Sequence, residues 1–165
     1  MWCPDKLNLS LLTSLLLLAG CGFQLRGSDL SAIETINLTG PISTETRRAF
    51  VTELESYGVE AVASTPGVVS VRVNDERSSR RPVSTSANID AAQYELRLEI
   101  DVSISLDGNL ISPDTALAAE RIYSVDSLNL SGSYEEQQIL LHEIRRELAS
   151  QVVSRVEAWL AKQGI

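Results

Sequence analysis

Hydrophobicity alternates most regularly between residues 93 and 106. Tyr94, Leu96, Leu98, Ile100, Val102, Ile104 and Leu106 are apolar, and Gln93, Glu95, Arg97, Glu99, Asp101, Ser103 and Ser105 between them are polar. A period of two sends the two sets to opposite sides of a strand, so this segment predicts a long strand with one dry and one wet face. Asp107-Gly108 follows, a dipeptide suited to a two-residue hairpin. Strict pairing sets Leu106 opposite Asn109 and puts Ile111, Leu117, Ala119, Tyr123 and Val125 on the dry face of the return strand. Arg121 falls on that face too. Either a bulge near Pro113 shifts the register, or Arg121 sits at the rim with a carboxylate partner. The favoured expectation is a longer connection through Pro113, with the strand over residues 116–126.

Helical periodicity marks two further segments. Phe50, Leu54 and Tyr57 recur at helical spacing. Ser43 or Thr44 can cap this helix, Glu45 suits the positive end of its dipole, and Gly58 fits a left-handed C-cap. The expectation is a helix over residues 43–57. Leu141, Ile144, Leu148, Val152, Val156 and Leu160 form a second stripe, widened by Ala149, Val153 and Trp159. Ser133 with Glu136 three residues later reads as a capping box, and Glu135 adds to an acidic first turn. That predicts a helix over residues 133–162, roughly 45 Å long.

Short strands are expected at 31–38 and 68–73, broken by Gly40-Pro41 and Pro66-Gly67. If parallel, they form a right-handed βαβ unit with the first helix. Residues 77–88 are polar, without a period, and read as a loop. The order β-α-β-β-β-α implies an α+β domain with two helices packed on one face of a four-stranded mixed sheet.

Composition changes this picture in one respect. The chain has 165 residues, 44% hydrophobic and 22% charged, which is ordinary for one globular domain. Its net charge of −8 and its 5% of aromatics argue against nucleic acid as a partner, because phosphate binding needs a basic surplus and base stacking needs aromatic platforms. Two cysteines and one histidine exclude a multi-Cys or multi-His metal site by count.

Both cysteines lie in the first 21 residues. Residues 7–19 are an apolar run too short to cross a bilayer as a helix, following a head that carries Lys6. This fits a secretory signal, with Cys3 in the removed segment. The run ends Leu18-Ala19-Gly20-Cys21, which resembles the lipobox of bacterial lipoproteins. That resemblance implies cleavage before Cys21, a diacylglycerol thioether on its sulfur and acylation of the new amine, several chains being needed for stable anchoring. Gly22 stands where an Asp would retain many Gram-negative lipoproteins in the inner membrane, which resembles the class sorted outward. The expected organisation is a signal peptide over 1–20, a lipidated linker over 21–29 and one domain over 30–165.

No catalytic constellation is expected. His142 sits inside the second helix beside Glu143, without a nucleophile or an orienting group. No glycine-rich phosphate loop or nucleophile elbow is present. Beyond the lipid on Cys21, no cofactor is implied. One cluster runs against the acidic average: Arg72, Arg77, Arg80 and Arg81. Arginines bind phosphate bidentately, so these four are candidate contacts for an anionic ligand or partner, set against a solvated loop that keeps a sheet edge soluble.

The segment Leu18-Ala19-Gly20-Cys21-Gly22-Phe23-Gln24-Leu25-Arg26-Gly27 resembles the mature start of the LPS-assembly lipoproteins, the LptE family. The likeness continues through Ala92-Tyr94-Leu96, the Ala119–Tyr123 segment and the terminal helix. It implies a non-enzymatic lipoprotein, lipid-anchored on the periplasmic side of the outer membrane. Such proteins plug the lumen of the LPS-assembly β-barrel, aid its assembly and the delivery of lipopolysaccharide, and can bind lipopolysaccharide. The net acidity restricts a direct lipopolysaccharide contact to the Arg72–Arg81 segment. The alternative is a periplasm-facing lipoprotein that binds a small anionic or lipid ligand through those arginines.

Overall fold

A computed structural model describes Leu30, residues 33–85 and residues 91–163. The signal segment, Cys21 and the Cys-Gly-Phe-Gln-Leu-Arg-Gly motif lie outside the described residues. The elements are β1 (Thr35–Thr39), α1 (Thr44–Ser56), β2 (Glu60–Val62), β3 (Val69–Thr85), β4 (Ala91–Leu106), β5 (Asn109–Asp126) and α2 (Leu130–Gln163). The strands form one mixed sheet in the order β2-β1-β3-β4-β5. β1 is parallel to both β2 and β3, and β3, β4 and β5 run antiparallel in turn. The α+β class holds, with five strands rather than four. The additional strand, β2, has only three residues and pairs with β1 at an edge, too short to leave a period in the sequence.

The dry face of β4 carries Leu96, Leu98, Ile100, Val102 and Ile104, all buried. Against it lies the stripe of α2: Ile144, Leu148, Ala149, Val152, Val153, Val156 and Leu160 are buried as well. Phe50 and Leu54 of α1 join the same core together with Ile36, Leu38, Val71 and Val73. A helix of 34 residues is about 51 Å long, and a strand of 16 residues is about 53 Å. The two long elements are therefore similar in length, and α2 packs on both β4 and β5.

The polar stretch after Val73 is not a loop. β3 continues to Thr85, and residues 75–85 pair with β4 almost without interruption; residues 86–90 lie outside the described residues. A strand needs a ladder partner rather than apolar side chains, and β4 supplies one. A register shift at Asn74 lies between the pairs Val73↔Val102 and Asp75↔Asp101. It reverses the alternation, so Glu76 and Arg80 stand opposite the dry-face residues Ile100 and Leu96, while Arg77 and Arg81 stand opposite the wet-face residues Glu99 and Glu95.

β5 begins at Asn109, not after Pro113, so the longer connection is not used. Asp107 (φ 50°) and Gly108 (φ 77°) form the two-residue turn, with Leu106 opposite Asn109. Two register shifts follow, one on each side of the pair Ile104↔Ser112. Each adds one residue to β5, and together they restore the alternation. Arg121 therefore stays on the dry face, opposite Leu96.

Ser43 caps α1 by accepting from the amide of Thr46, and Gly58 is left-handed with φ 75°. The start of α2 differs from the expected capping box. The Oδ1 of Asn129 accepts from the Gly132 amide at 3.1 Å, which makes Asn129 the cap. Ser133 already lies within the helix. Its hydroxyl donates to the Asn129 carbonyl and accepts from the Asp126 amide, tying the helix start to the end of β5. At the β1–α1 corner Gly40 has φ 108°, and a Cβ there would stand 1.9 Å from the Val73 carbonyl oxygen.

Candidate functional site

Both helices pack on one side, so the opposite face of β3, β4 and β5 is left uncovered. It carries charged side chains that pair with one another, beside Ala116, Ala118 and the exposed Ile122 of β5. Arg77 on β3 donates to Asp101 at 2.8 Å and also reaches Glu99 and Asp75. Arg97 on β4 bridges Glu99 and Glu120, each at 3.0 Å. Arg81 grips Glu95 with two nitrogens, at 2.6 and 2.9 Å. These arginines are held more firmly protonated than usual by their carboxylate hydrogen bonds. Glu99 is held below its ordinary pKa, first by Arg77 and then by Arg97. Glu95 is lowered by Arg81, although its near-burial opposes the charged form. Five carboxylates (Asp75, Glu95, Glu99, Asp101 and Glu120) meet three arginines (Arg77, Arg81 and Arg97), so the ladder keeps an acidic surplus.

The four candidate arginines do not converge. Arg77 and Arg81 belong to this ladder. Arg72, near the start of β3, donates through Nε to Asn74 at 3.0 Å. Arg80 lies on the opposite side of the sheet, its guanidinium carbon 3.6 Å from the centre of the Tyr94 ring and 5.7 Å from that of Tyr123. That is cation–π stacking. The free arginine loop expected from composition is thus a strand whose arginines alternate between faces. Arg121 does sit at the rim, with Glu147 of α2 at 2.7 Å and Glu143 at 3.7 Å. These groups line an open cleft of about 360 Å³ between the two helices, together with Glu53 and Arg146.

Two polar sites escape the sequence pattern. Asn37 is buried within β1; its amide nitrogen donates to the Thr65 carbonyl and the Ser70 hydroxyl, and its oxygen accepts from the Thr65 amide at 2.7 Å. A polar residue between Ile36 and Leu38 was the available signal. Glu76 accepts from the Ser43 amide, the Ser43 hydroxyl and the Thr46 hydroxyl, each at 2.8 Å. No local signal marks it, because the shift at Asn74 is what turns it toward α1. His142 is exposed on α2. No group of three or more His, Cys, Asp or Glu among the described residues could hold a metal ion.

Residues 30–156 match the family model described as "LptE: Lipopolysaccharide-assembly". The chain belongs to the LptE family. It is 27% identical over 152 residues to the LPS-assembly lipoprotein LptE of Pectobacterium atrosepticum, covering 87% of this chain and 80% of that one. Its fold is similar to a rare lipoprotein B from Shewanella oneidensis, with a TM-score of 0.67, 18% identity, and coverage of 79% of this chain and 99% of that one. It is also similar to a minor lipoprotein from Acinetobacter baumannii, with a TM-score of 0.63, 20% identity, and coverage of 76% and 91%. At such identity these likenesses show the fold alone. The described LptE-family domain has no helix long and apolar enough to cross a membrane.

Proposed function

We propose that this chain is an outer-membrane lipoprotein, anchored on the periplasmic side through lipid on Cys21, that plugs the lumen of the LPS-assembly β-barrel. In this role it aids assembly of the barrel and delivery of lipopolysaccharide to the outer leaflet, without catalysis. Family membership supports the process, and the uncovered sheet face supports the mode. Burying a charge is costly when it loses its partners. Here the long charged face is already paired within the domain, so it can enter a polar lumen with its charges compensated. Its acidic surplus favours a lumen wall of complementary sign. Lipid anchoring raises the effective concentration of the plug near its barrel.

Arg72 and Arg80 are the two candidate arginines that have no carboxylate partner among the described residues. On this reading they are the ones left to meet lipopolysaccharide phosphates, from opposite sides of the sheet. The test is affinity purification of the lipidated protein from outer membranes, with photocrosslinkers at Ser79 and Ser103. Recovery of the barrel, crosslinked from both sites, is the expected result. A free monomer, with normal surface lipopolysaccharide after depletion, would sink the proposal. Cys21→Ser is expected to abolish palmitate labelling, which tests the anchor separately.

A further inference from the structure

One end of the domain combines three features that the charged face does not use. The first is Trp159, half-buried in the last turns of α2 and bordering two hollows. One hollow, of about 390 Å³, is lined mostly by apolar groups that include Ile33, Val68, Leu106 and Leu160. The other, of about 230 Å³, lies beside Ile111 and is lined by Arg155 and Lys162 but by no carboxylate. The second feature is this pair of cations. Both are exposed, and neither has a carboxylate within ion-pair distance among the described residues. The third is position. Ile33 borders the first hollow, and the Ile33 amide donates to the carbonyl of Leu30. Leu30 follows Cys21 by nine residues, a reach of at most about 32 Å. Leu110, 64% exposed just beyond the β4–β5 turn, adds apolar surface at the same end.

We infer that this end of the domain rests on the lipid leaflet that carries the anchor, with Trp159 at headgroup level and Arg155 and Lys162 against anionic phosphates. Indole is suited to the membrane–water boundary, having an apolar body and a polar N–H. Long cationic side chains lay their stems along apolar surface and present their charge to phosphate. Acidic groups also stand near this end, Glu34 lining the first hollow, Asp107 in the turn and Glu157 in the last turns of α2, but none of them lines the hollow that holds Arg155 and Lys162, which sets the contact toward the Trp159–Lys162 side. The contact holds the domain in one orientation on the membrane, with the end of β3 and the start of β4 directed away from it. This inference rests on the lipoprotein reading for its biological setting, but the surface can be tested without the lipid.

Every buried core residue among the described residues lies between Leu30 and Leu160, and a chain starting at Gly22 keeps all of them. That chain has Trp159 as its sole tryptophan. It is mixed with vesicles of phosphatidylethanolamine containing phosphatidylglycerol, and separately with phosphatidylcholine vesicles. Trp159 emission should shift to the blue and be quenched by brominated lipid in the anionic vesicles. Arg155→Ala with Lys162→Ala should weaken vesicle sedimentation roughly tenfold to thirtyfold, from about 1 kcal/mol per cation near an anionic surface. Circular dichroism checks that the doubly substituted chain is folded. Unchanged emission, binding without quenching, or binding indifferent to the two cations would each overturn the inference. So would self-association through Trp159 in place of vesicle binding. None of these outcomes bears on palmitate labelling of Cys21, so failure here is distinct from failure of the anchor.

Discussion

Replacing Glu76 with alanine should destabilise the domain by about 3 kcal/mol. The carboxylate accepts three hydrogen bonds at the start of α1, from the Ser43 amide and from the hydroxyls of Ser43 and Thr46. Thr46 has no exposed surface, so its hydroxyl keeps only the Ser43 oxygen at 3.0 Å once the carboxylate is gone. A hydrogen bond to a charged group contributes about 1.5–3 kcal/mol, and a carboxylate at a helix N-terminus adds about 0.3–1 kcal/mol from the dipole. Three bonds to one carboxylate are not additive, and water reaches the half-buried Glu76, which brings the loss below the simple sum, to about 3 kcal/mol. For a domain of this size the expected fall in Tm is roughly 6–12 °C. Urea unfolding of the chain from Gly22 measures it, with the midpoint lowered and the slope unchanged. Glu76→Gln, which keeps one acceptor oxygen, should lose about half as much. A double-mutant cycle with Thr46→Val should show coupling of at least about 0.5 kcal/mol. A loss within about 0.5 kcal/mol for Glu76→Ala, or no coupling to Thr46, would refute the cap.

Gly40→Ala should cost roughly 3 kcal/mol or more, because the new Cβ collides with the Val73 carbonyl at positive φ. Gly108→Ala, at φ 77° with open space around it, should cost only about 1–2 kcal/mol; equal losses in thermal denaturation would contradict the clash. Asn37→Ala removes three hydrogen bonds from a buried site and should cost about 2–3 kcal/mol. Its signature is faster hydrogen exchange at the Thr65 amide, and unaltered exchange there would argue against the latch. In Arg81→Ala, the NMR titration midpoint of Glu95 should rise toward the ordinary value of about 4.3, since Arg81 is the main cause of its depression. The sign for stability follows from the depressed folded pKa: the contribution is present above about pH 4.3 and lost as pH falls through the lower folded value. The parent should therefore lose stability more steeply than Arg81→Ala below about pH 4.3, and parallel acid curves would refute the linkage.

How much of this was legible follows from where the information is stored. The long strand, the α2 stripe, the Asp107-Gly108 turn and the Ser43 cap are local or periodic features, and each stands where the sequence places it. The start of α2 was misplaced because Ser133–Glu136 and Asn129–Gly132 both offer caps, and contact with the Asp126 amide selects between them. The distal part of β3 looked like a loop because its side chains answer to β4, about 7 to 26 residues away in sequence, not to each other. The arginines on it looked like an anion site for the same reason. Their carboxylate partners Glu95, Glu99 and Asp101 were visible, but the pairing was not.

The sequence by itself determined the α+β class, the dry and wet faces of β4, the buried stripe of α2 and the resemblance to the LptE family. These depend on periods of 2 and 3.6 and on short motifs, which a chain carries whether or not it is folded. Only the tertiary structure decided register. One extra residue at Asn74 turned Glu76 toward α1 and Arg77 toward Glu99, and two in β5 kept Arg121 on the helix side. A bulge moves every following side chain to the other face, and its place is chosen by the partner strand and the packed core, not by the residues that form it.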